Sequence, residues 1–343
     1  MIWLSLFVCL SSIIPENREA GLLESALVSV VIPTRGRPQW VVRAVTSALS
    51  QSYLWLEVIV VADGRDPETA LALRGIDDER LRLIELGEPA GGSEARNVGV
   101  RAARGEWVAF LDDDDEWAAQ KVEKQMEAAA HIRARHPIIS SRLLAIGSEG
   151  NSVLPRRLYS PGENVANYLF CRTGLSYGDG ILQTSTLMTK RSLLLEVPFL
   201  KGLKQHQDWD WLLKVARRTD VEIAMLPEAL TLMRVAGQGE SVSRAADWKA
   251  SLDWAKMVRP AMGAKAYSFF IATECVPRAR KCGAGPVAQL RLFREMVWGG
   301  RVGFKQLVLF LCFSLPPMVA REMFGRIRMR TLSVTERGEY ERS

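Results

Sequence analysis

The chain has 343 residues, of which 48% are hydrophobic and 24% are charged, with a formal net charge of +6 and a pI of about 9.1. This composition excludes wholesale disorder, and the length suits one large domain with an appendage or two modest domains. Five scattered cysteines without a CxxC pair predict free thiols in a reducing compartment and no zinc site. With only three histidines, a His-rich metal centre is excluded.

The first stretch, Met1–Ile14, is apolar but has neither a basic n-region nor a small-residue cleavage site. It is too short to span a bilayer comfortably. We expect residues 1–26 to form an N-terminal apolar extension, which is either a weak anchor or the result of a misassigned start codon.

From residue 27 onward, apolar β-branched runs alternate with segments of helical periodicity, and the connections are short. Strands are predicted at 27–32, 57–62, 81–86 and 107–111, and helices at 39–50, 67–75, 93–104 and 118–135. This alternation is typical of an α/β fold with a mostly parallel sheet covered by helices. Later segments predict strands at 181–189, 221–226 and 230–235, and helices from Gln207 and again from about residue 245.

Polar clusters follow three of the predicted strands, at Pro33–Arg37, Asp63-Gly64 and Asp112–Asp115. Ligands of open α/β sheets bind beyond the carboxyl ends of the strands, so these clusters predict one site on one sheet edge. Gly91-Gly92-Ser93 opens a helix whose backbone N–H groups suit an anion, although two glycines alone also fit a plain turn.

The stretch WVAFLDDDDEW carries an apolar strand directly into four aspartates, Asp112 to Asp115. Adjacent carboxylates repel one another, so their place at a strand end predicts a divalent cation that carries a phosphorylated ligand. If the extended backbone continues, Asp112 and Asp114 face one side and Asp113 the other. The alternative is that the acids form the first turn of the following helix.

The order of VVIPTRGR, VVADG, GGSEARNVG, FLDDDDEW and QDWDW closely resembles that of family 2 glycosyltransferases, over residues 27–235. The resemblance implies a GT-A (Rossmann-like) domain at 27–235 and a helical C-terminal region at 236–343. It also implies an inverting enzyme that uses a nucleotide-diphosphate sugar together with Mg²⁺ or Mn²⁺.

The same resemblance assigns roles to positions of this chain. The nucleotide base and diphosphate are expected to contact Pro33, Thr34, Arg35, Asp63, Ser93, Ala95, Arg96 and Asn97. Asp112 and Asp113 are expected to contact the donor, with Asp112 near the ribose, and Asp112 and Asp114 to hold the metal. Asp208 corresponds to the catalytic base, and Asp210 is the next candidate for that role.

Two positions depart from the family's pattern. Gln207 stands where the family has Glu before the base, and Ala236 stands where many members have a His that contacts metal or diphosphate. Arg234 or Arg244 could replace that His as a clamp on the diphosphate.

The acceptor is expected over Gln183–Thr186 and Trp209–Trp211, where aromatic faces can stack on sugar rings. Phe304–Phe313 is an apolar run that precedes the arginine-rich stretch Arg321–Arg330. Such a segment predicts an interfacial helix on anionic lipid, or a docked helix with a solvated basic face. We therefore expect a glycan or lipid-linked acceptor, a role in cell-surface polysaccharide synthesis, and a cytoplasmic location on the inner face of the membrane.

Two other functions are compatible with parts of the sequence. A degenerate site would leave a non-catalytic nucleotide-sugar binding protein. A sugar nucleotidyltransferase usually carries a Gly-rich loop with Lys after its first strand, whereas PTRGRP contains no Lys. No nucleic-acid partner is expected, because the aromatic residues are not interleaved with basic ones.

Overall fold

The computed structural model describes residues 26–147, 150–174, 178–234 and 247–315. Its first half contains β1 (Val28–Thr34), α1 (Pro38–Leu49), β2 (Leu56–Ala62), α2 (Pro67–Arg74), β3 (Leu81–Glu85), α3 (Gly92–Ala102) and β4 (Trp107–Phe110). The predicted alternation is therefore confirmed, with boundaries within about two residues. Strand β2 is buried along its whole length, which explains why its sequence is a continuous apolar run.

The second half differs more from the prediction. It contains β5 (Asp115–Trp117), α4 (Lys121–Ala130), β6 (His136–Gly147), β7 (Gly150–Leu154), α5 (Val165–Phe170), β8 (Met188–Lys190), α6 (Arg191–Glu196), α7 (Gln207–Val215) and β9 (Val221–Arg234). The predicted helix at 118–135 is shorter, and a strand precedes it. The two predicted closing strands are one strand, whose pairing with β6 shifts register around Arg142.

The described strands form one sheet in the order β3-β2-β1-β4-β8-β6-β9-β5, with β7 paired to β6. Strands β1, β2, β3 and β4 are parallel, and so are β6 and β9. The antiparallel pairings of β8 with β4 and β6, and of β5 with β9, are shorter, with two or three residue pairs each. The carboxyl ends of β1, β2 and β4 consequently meet at one edge, as predicted for a mostly parallel sheet.

Helices cover both faces of this sheet. Apolar residues of α1 and α4 pack on one face, and those of α3, α6 and α7 pack on the other. A third core contains α5, one side of α7 and the C-terminal helices. These helices are α8 (Trp248–Met262), α9 (Ala264–Phe270), a π-helical segment (Ile271–Cys275), α10 (Val276–Lys281), α11 (Pro286–Gly299) and α12 (Phe304–Ser314).

The predicted helical C-terminal region is thus confirmed, and it packs against α7. The proposed domain boundary at 235/236 lies outside the described residues. The same holds for Ala236, Arg244, Arg321–Arg330 and all but the last residue of the 1–26 extension.

Candidate active site

A cleft of about 1240 Å³ opens at the carboxyl edge of the sheet. It extends from the loops after β1, β2 and β4, past the start of α7, to a wall formed by the C-terminal helices. The predicted site residues that line it are Pro33, Thr34, Arg35, Asp63, Ser93, Arg96, Asp112, Asp113, Asp114 and Asp208. The structure therefore brings most of the predicted set together.

Two predicted residues of α3 are turned away from the cleft. Ala95 is fully buried and packs in the core under the sheet. The side-chain amide of Asn97 donates to the Phe199 carbonyl and accepts from the Phe199 N–H, both at 2.9 Å. This corrects the expectation of ligand contacts, because these side chains instead hold α3 in place.

The backbone turns sharply within the acidic cluster Asp112–Asp115. Strand β4 ends at Phe110, and the Asp115 N–H donates to the Asp112 carbonyl at 3.1 Å. The expected alternation of side chains is therefore wrong. The helical alternative is also wrong, since Asp115 begins β5 and α4 starts only at Lys121.

Two arginines neutralise part of this cluster. Arg37 Nη1 lies 3.1 Å from both Asp113 Oδ1 and Asp114 Oδ2. Arg96 Nη2 contacts Asp112 Oδ1 at 2.5 Å, and the Thr34 hydroxyl donates to Asp113 at 2.7 Å. Burial nevertheless raises the pKa of Asp113 to about 6. Three of the four acids thus pair with two guanidinium groups. Arg37 belongs to the predicted Pro33–Arg37 cluster, but no role was assigned to it from the sequence.

Asp115 stabilises the turn. Its buried carboxylate accepts from the Ser185 hydroxyl at 2.6 Å and from the Gln183 amide at 2.8 Å. Burial, and then the nearby Asp112, raise the pKa of Asp115 well above its usual range. The Ser185 hydroxyl also accepts from the Asp112 N–H at 3.0 Å, so a residue some 70 positions later in the chain holds the cluster in place. No local sequence signal indicates this contact.

The loop before α3 is held by Asp63. Its carboxylate accepts from the N–H groups of Ala90 at 2.6 Å and Gly91 at 3.0 Å. Gly91 has φ of +88°, a backbone conformation that glycine tolerates best. Next to it, the buried Ser93 hydroxyl lines the cleft and makes no hydrogen bond within the described residues. A hydroxyl in that state is available to a bound ligand.

Helix α7 presents one of its two early acids to the cleft. Asp208 Oδ1 accepts from the Trp209 N–H at 2.9 Å, and burial raises the pKa of Asp208 to about 6 although Arg96 lowers it. Asp210, by contrast, is fully buried and accepts from Lys214 at 2.5 Å and from the Trp254 indole at 3.2 Å. These contacts make Asp210 part of the core, and it is absent from the described lining of the cleft.

Arg96 connects the acidic cluster to α7. While Nη2 contacts Asp112, Nη1 donates to Gln207 Oε1 at 2.7 Å. The Gln207 amide in turn donates to the Leu203 carbonyl at 2.7 Å. Gln207, which stands where the family has Glu, is therefore the residue through which Arg96 reaches α7.

The C-terminal helices fix the residue before α7. His206 has φ of +62° and stacks on Trp209 with ring centroids 4.9 Å apart. The centroid of its ring also lies 4.7 Å from that of Trp254, and its Nε2 lies 2.9 Å from the Ser251 hydroxyl. Burial lowers the pKa of His206 to about 3, so the ring is neutral near pH 7.

The expected aromatic platform for the acceptor is smaller than predicted. Trp211 is 1% exposed, stacks on Phe199 and donates to the Val197 carbonyl at 2.8 Å. It therefore belongs to the core, whereas Trp209 lines the cleft.

A mostly parallel α/β sheet with a helical C-terminal region and an acid-lined cleft at its carboxyl edge is typical of the GT-A fold. Comparison with known proteins agrees. Residues 29–179 match the model of glycosyl transferase family 2. The TarS fragment 1–349 of S. aureus, solved with UDP-GlcNAc, has the same fold with a TM-score of 0.52 at 17% identity, covering 85% of this chain and 82% of that one.

Curated relatives are also glycosyltransferases. The amylovoran biosynthesis glycosyltransferase AmsB of Erwinia amylovora is 28% identical over 243 residues, covering 68% of this chain and 77% of AmsB. The putative teichuronic acid biosynthesis glycosyltransferase TuaG of Bacillus subtilis is 29% identical, covering 55% and 72% of the two chains. A UDP-Glc:alpha-D-GlcNAc-diphosphoundecaprenol beta-1,3-glucosyltransferase, WfgD of Escherichia coli, is 31% identical, covering 30% of this chain and 41% of WfgD. Residues 29–179 thus carry a family 2 glycosyltransferase domain, which agrees with the family, fold and enzyme class predicted from the sequence.

Proposed function

We propose that this enzyme transfers a sugar, with inversion, from a nucleotide-diphosphate sugar to a hydroxyl of a glycan or lipid-linked acceptor in cell-surface polysaccharide synthesis. The observation that carries the proposal is Arg96, which joins Asp112 in the acidic cluster to the helix that presents Asp208. The names of the relatives, which include polysaccharide biosynthesis and a diphosphoundecaprenol-linked acceptor, support the choice of acceptor.

The donor occupies the end of the cleft nearest the sheet. The base lies against Pro33, Thr34, Arg35 and Asp63, and the ribose approaches Asp112. The unpaired Ser93 hydroxyl and the Arg96 guanidinium face the diphosphate, since both line the cleft next to the start of α3. Binding of an anion at that helix start is favoured by its free N–H groups.

Asp112 and Asp114 fit a Mg²⁺ or Mn²⁺ ion. Both are hard oxygen ligands, and burial together with the like charge of Asp112 raises the pKa of Asp114, although Arg37 lowers it. Among the described residues there is no group of three metal-binding side chains. That suits an ion that takes one or two carboxylates and completes its shell with phosphates and water. When bound, the ion would stabilise the charge of the departing diphosphate.

Asp208 is the base in this mechanism. Its carboxylate accepts the proton of the acceptor hydroxyl while that oxygen bonds to the anomeric carbon and the bond to the diphosphate breaks. With a pKa of about 6, the carboxylate is mostly ionised at pH 7 yet still basic enough to take a proton. Arg96 favours the ionised form, because its positive charge lowers the pKa of Asp208.

The test is turnover of a panel of nucleotide sugars with Mn²⁺, measured as released nucleotide diphosphate and as transfer to acceptors, with the product's anomeric configuration read by NMR. We expect one donor to be turned over with inversion. Retention of configuration would exclude the single displacement, and binding without turnover would favour the non-catalytic alternative. Formation of a nucleotide sugar from a nucleoside triphosphate and a sugar phosphate would favour the nucleotidyltransferase.

The proposed place of the enzyme is the cytoplasmic surface of the membrane. Helices α11 and α12 expose large apolar side chains, among them Trp298 at 71% and Phe304 at 83%. Exposed basic residues lie among them, namely Arg291, Arg294, Arg301 and Lys305. Glu295 is the one acid in the sequence from 276 to 315. Exposed apolar side chains mixed with positive charge suit the interface of an anionic bilayer.

None of the described helices has the length and apolarity needed to cross a bilayer. Flotation with vesicles tests the surface location. We expect binding to vesicles that contain phosphatidylglycerol, little binding to neutral phosphatidylcholine vesicles, and a several-fold loss in the double variant W298S/F304S. Trp55, which is 58% exposed in the loop before β2, supplies the matched control W55S. Equal loss in the control, or no loss in either protein, would contradict this location.

A further inference from the structure

The residue before α7 has an unusual backbone conformation. His206 has φ of +62°, and among the described residues it is the only one besides glycines with a positive φ. Left-handed backbone is sterically disfavoured for an L side chain, and it persists only where the surrounding structure enforces it. Residues in such conformations cluster at functional sites. His206 lines the cleft and stands two positions before Asp208, the proposed base.

The C-terminal helices enforce this conformation through the His206 ring. Its centroid lies 4.7 Å from that of Trp254 on α8 and 5.4 Å from that of Phe270 on α9. Its Nε2 forms a hydrogen bond with the Ser251 hydroxyl of α8 at 2.9 Å, and the ring also stacks on Trp209 of α7 itself. Four neighbours on three helices thus hold a residue that is only 9% exposed.

The first turn of α7 ties the direction of Asp208 to the backbone of His206. The His206 carbonyl accepts from the Asp210 N–H at 2.8 Å, which is the first hydrogen bond of the helix. Within the same turn, Asp208 Oδ1 accepts from the Trp209 N–H at 2.9 Å. The His206 side chain does not cap the helix, so the start of α7 depends on backbone geometry. A change in the His206 backbone would therefore turn the Asp208 carboxylate.

The same turn is also held from the side of the sheet. Arg96 Nη1 donates to Gln207 Oε1 at 2.7 Å, and the Gln207 amide donates to the Leu203 carbonyl at 2.7 Å. The His206 ring adds a second support, which comes from α8 and α9. Two distant parts of the chain therefore orient the turn that presents the base.

We propose that His206 is a positioning residue for Asp208, because its ring transmits the packing of α8 and α9 to the first turn of α7. The inference rests on the proposed function of Asp208 as the base. A displaced base loses rate steeply, since proton transfer requires the carboxylate to lie within hydrogen-bond reach of the acceptor hydroxyl. Burial lowers the pKa of His206 to about 3, so the neutral ring acts through its contacts and not through charge.

The test measures kcat and donor affinity separately in H206A, H206N and S251A, with the donor and acceptor that the wild-type enzyme turns over. We expect H206A to lower kcat roughly 10- to 100-fold, because alanine opposes left-handed backbone and the ring contacts are lost. Affinity for the nucleoside diphosphate with Mn²⁺ should stay within about twofold. H206N should keep kcat several-fold above that of H206A, because asparagine adopts left-handed backbone readily. S251A removes one hydroxyl and should lower kcat several-fold.

The matched control is L309A. Leu309 is buried in the same C-terminal core, on α12, and contributes neither a ring nor a hydrogen bond to His206. Its truncation should lower the melting temperature at least as much as H206A does and leave kcat within about twofold. Equal kcat losses in L309A and H206A, equal losses of kcat and donor affinity in H206A, or an H206N no better than H206A would overturn the inference.

The comparison remains decisive if H206A does not fold. S251A against L309A then carries it, and an unchanged kcat in S251A would overturn the positioning role. Absence of donor turnover by the wild-type protein would instead contradict the proposed function itself, so the two failures are distinguishable.

Discussion

The two ends of the cleft are built in different ways. The acidic end consists of turns that directly follow β1, β2 and β4, so its residues are presented by one sheet edge. The other end, lined by Arg172, Glu274 and Arg278, joins the loop after α5 to the π-helical segment and α10 of the C-terminal region, and only tertiary packing brings them together. Asp208 lies between them on α7, which contacts the sheet on one side and the C-terminal helices on the other. The proposed reaction therefore requires both ends of the cleft to hold their positions relative to Asp208.

The largest effect is expected from removing the proposed base, Asp208, which lies between the two ends. Asp208→Asn should lower kcat by roughly 10²–10⁴-fold, because the amide cannot take the proton of the acceptor hydroxyl. Donor affinity should be retained. The rate of nucleotide release measures kcat, and a binding titration measures the affinity for the donor. Asp210→Asn is the control on the same helix. It should lower the melting temperature, since the buried carboxylate pairs with Lys214, and keep kcat within a few-fold. Similar kcat losses in both variants would contradict the assignment of the base.

A smaller effect should be confined to the acidic end. Asp114→Ala removes an oxygen ligand, so the affinity for a nucleotide diphosphate in the presence of Mn²⁺ should fall roughly tenfold or more, while the KM for the acceptor stays the same. Titration calorimetry with and without a chelator checks this, because without metal the variant and the wild type should bind alike. The exposed Asp77 supplies the control D77A. A difference that persists under chelation would refute the metal role.

The smallest effect concerns the contact between Arg96 and Gln207, which connects the acidic cluster to α7. A base works when ionised, so wild-type activity should fall as the pH drops through the Asp208 pKa of about 6. Gln207→Glu adds a carboxylate beside Arg96, which weakens the field that favours ionised Asp208. The acid limb of the pH–kcat profile should therefore move to higher pH, with activity above pH 8 unchanged. The control Q120E adds the same charge at an exposed position. An unmoved acid limb in Q207E would show that Arg96 does not act on the base.

The sequence predicts the acidic end well, because each polar cluster directly follows a strand that its apolar run reveals. Within such a motif, however, the direction of individual side chains depends on packing. Asn97 belongs to the stretch GGSEARNVG but forms hydrogen bonds with Phe199. Trp211 belongs to QDWDW but stacks on Phe199 in the core. The bend at the aspartates depends on Ser185, and the other end of the cleft depends on a contact between Arg172 and Glu274. No local pattern encodes such distant partners.

The pairing of β5 affects the order in which the sheet can fold during synthesis. In the described sheet β5 pairs with β9, with Asp115 opposite Met233 and Trp117 opposite Thr231. A growing chain can pair β1, β2 and β4 early, whereas the turn that carries the four aspartates gains its neighbouring strand only after β9 has been synthesised. A polypeptide stopped before Thr231 would possess most of the parallel strands, but the turn at the four aspartates would lack its neighbouring strand. Translation thus delays assembly of the acidic cluster until nearly the whole sheet is present.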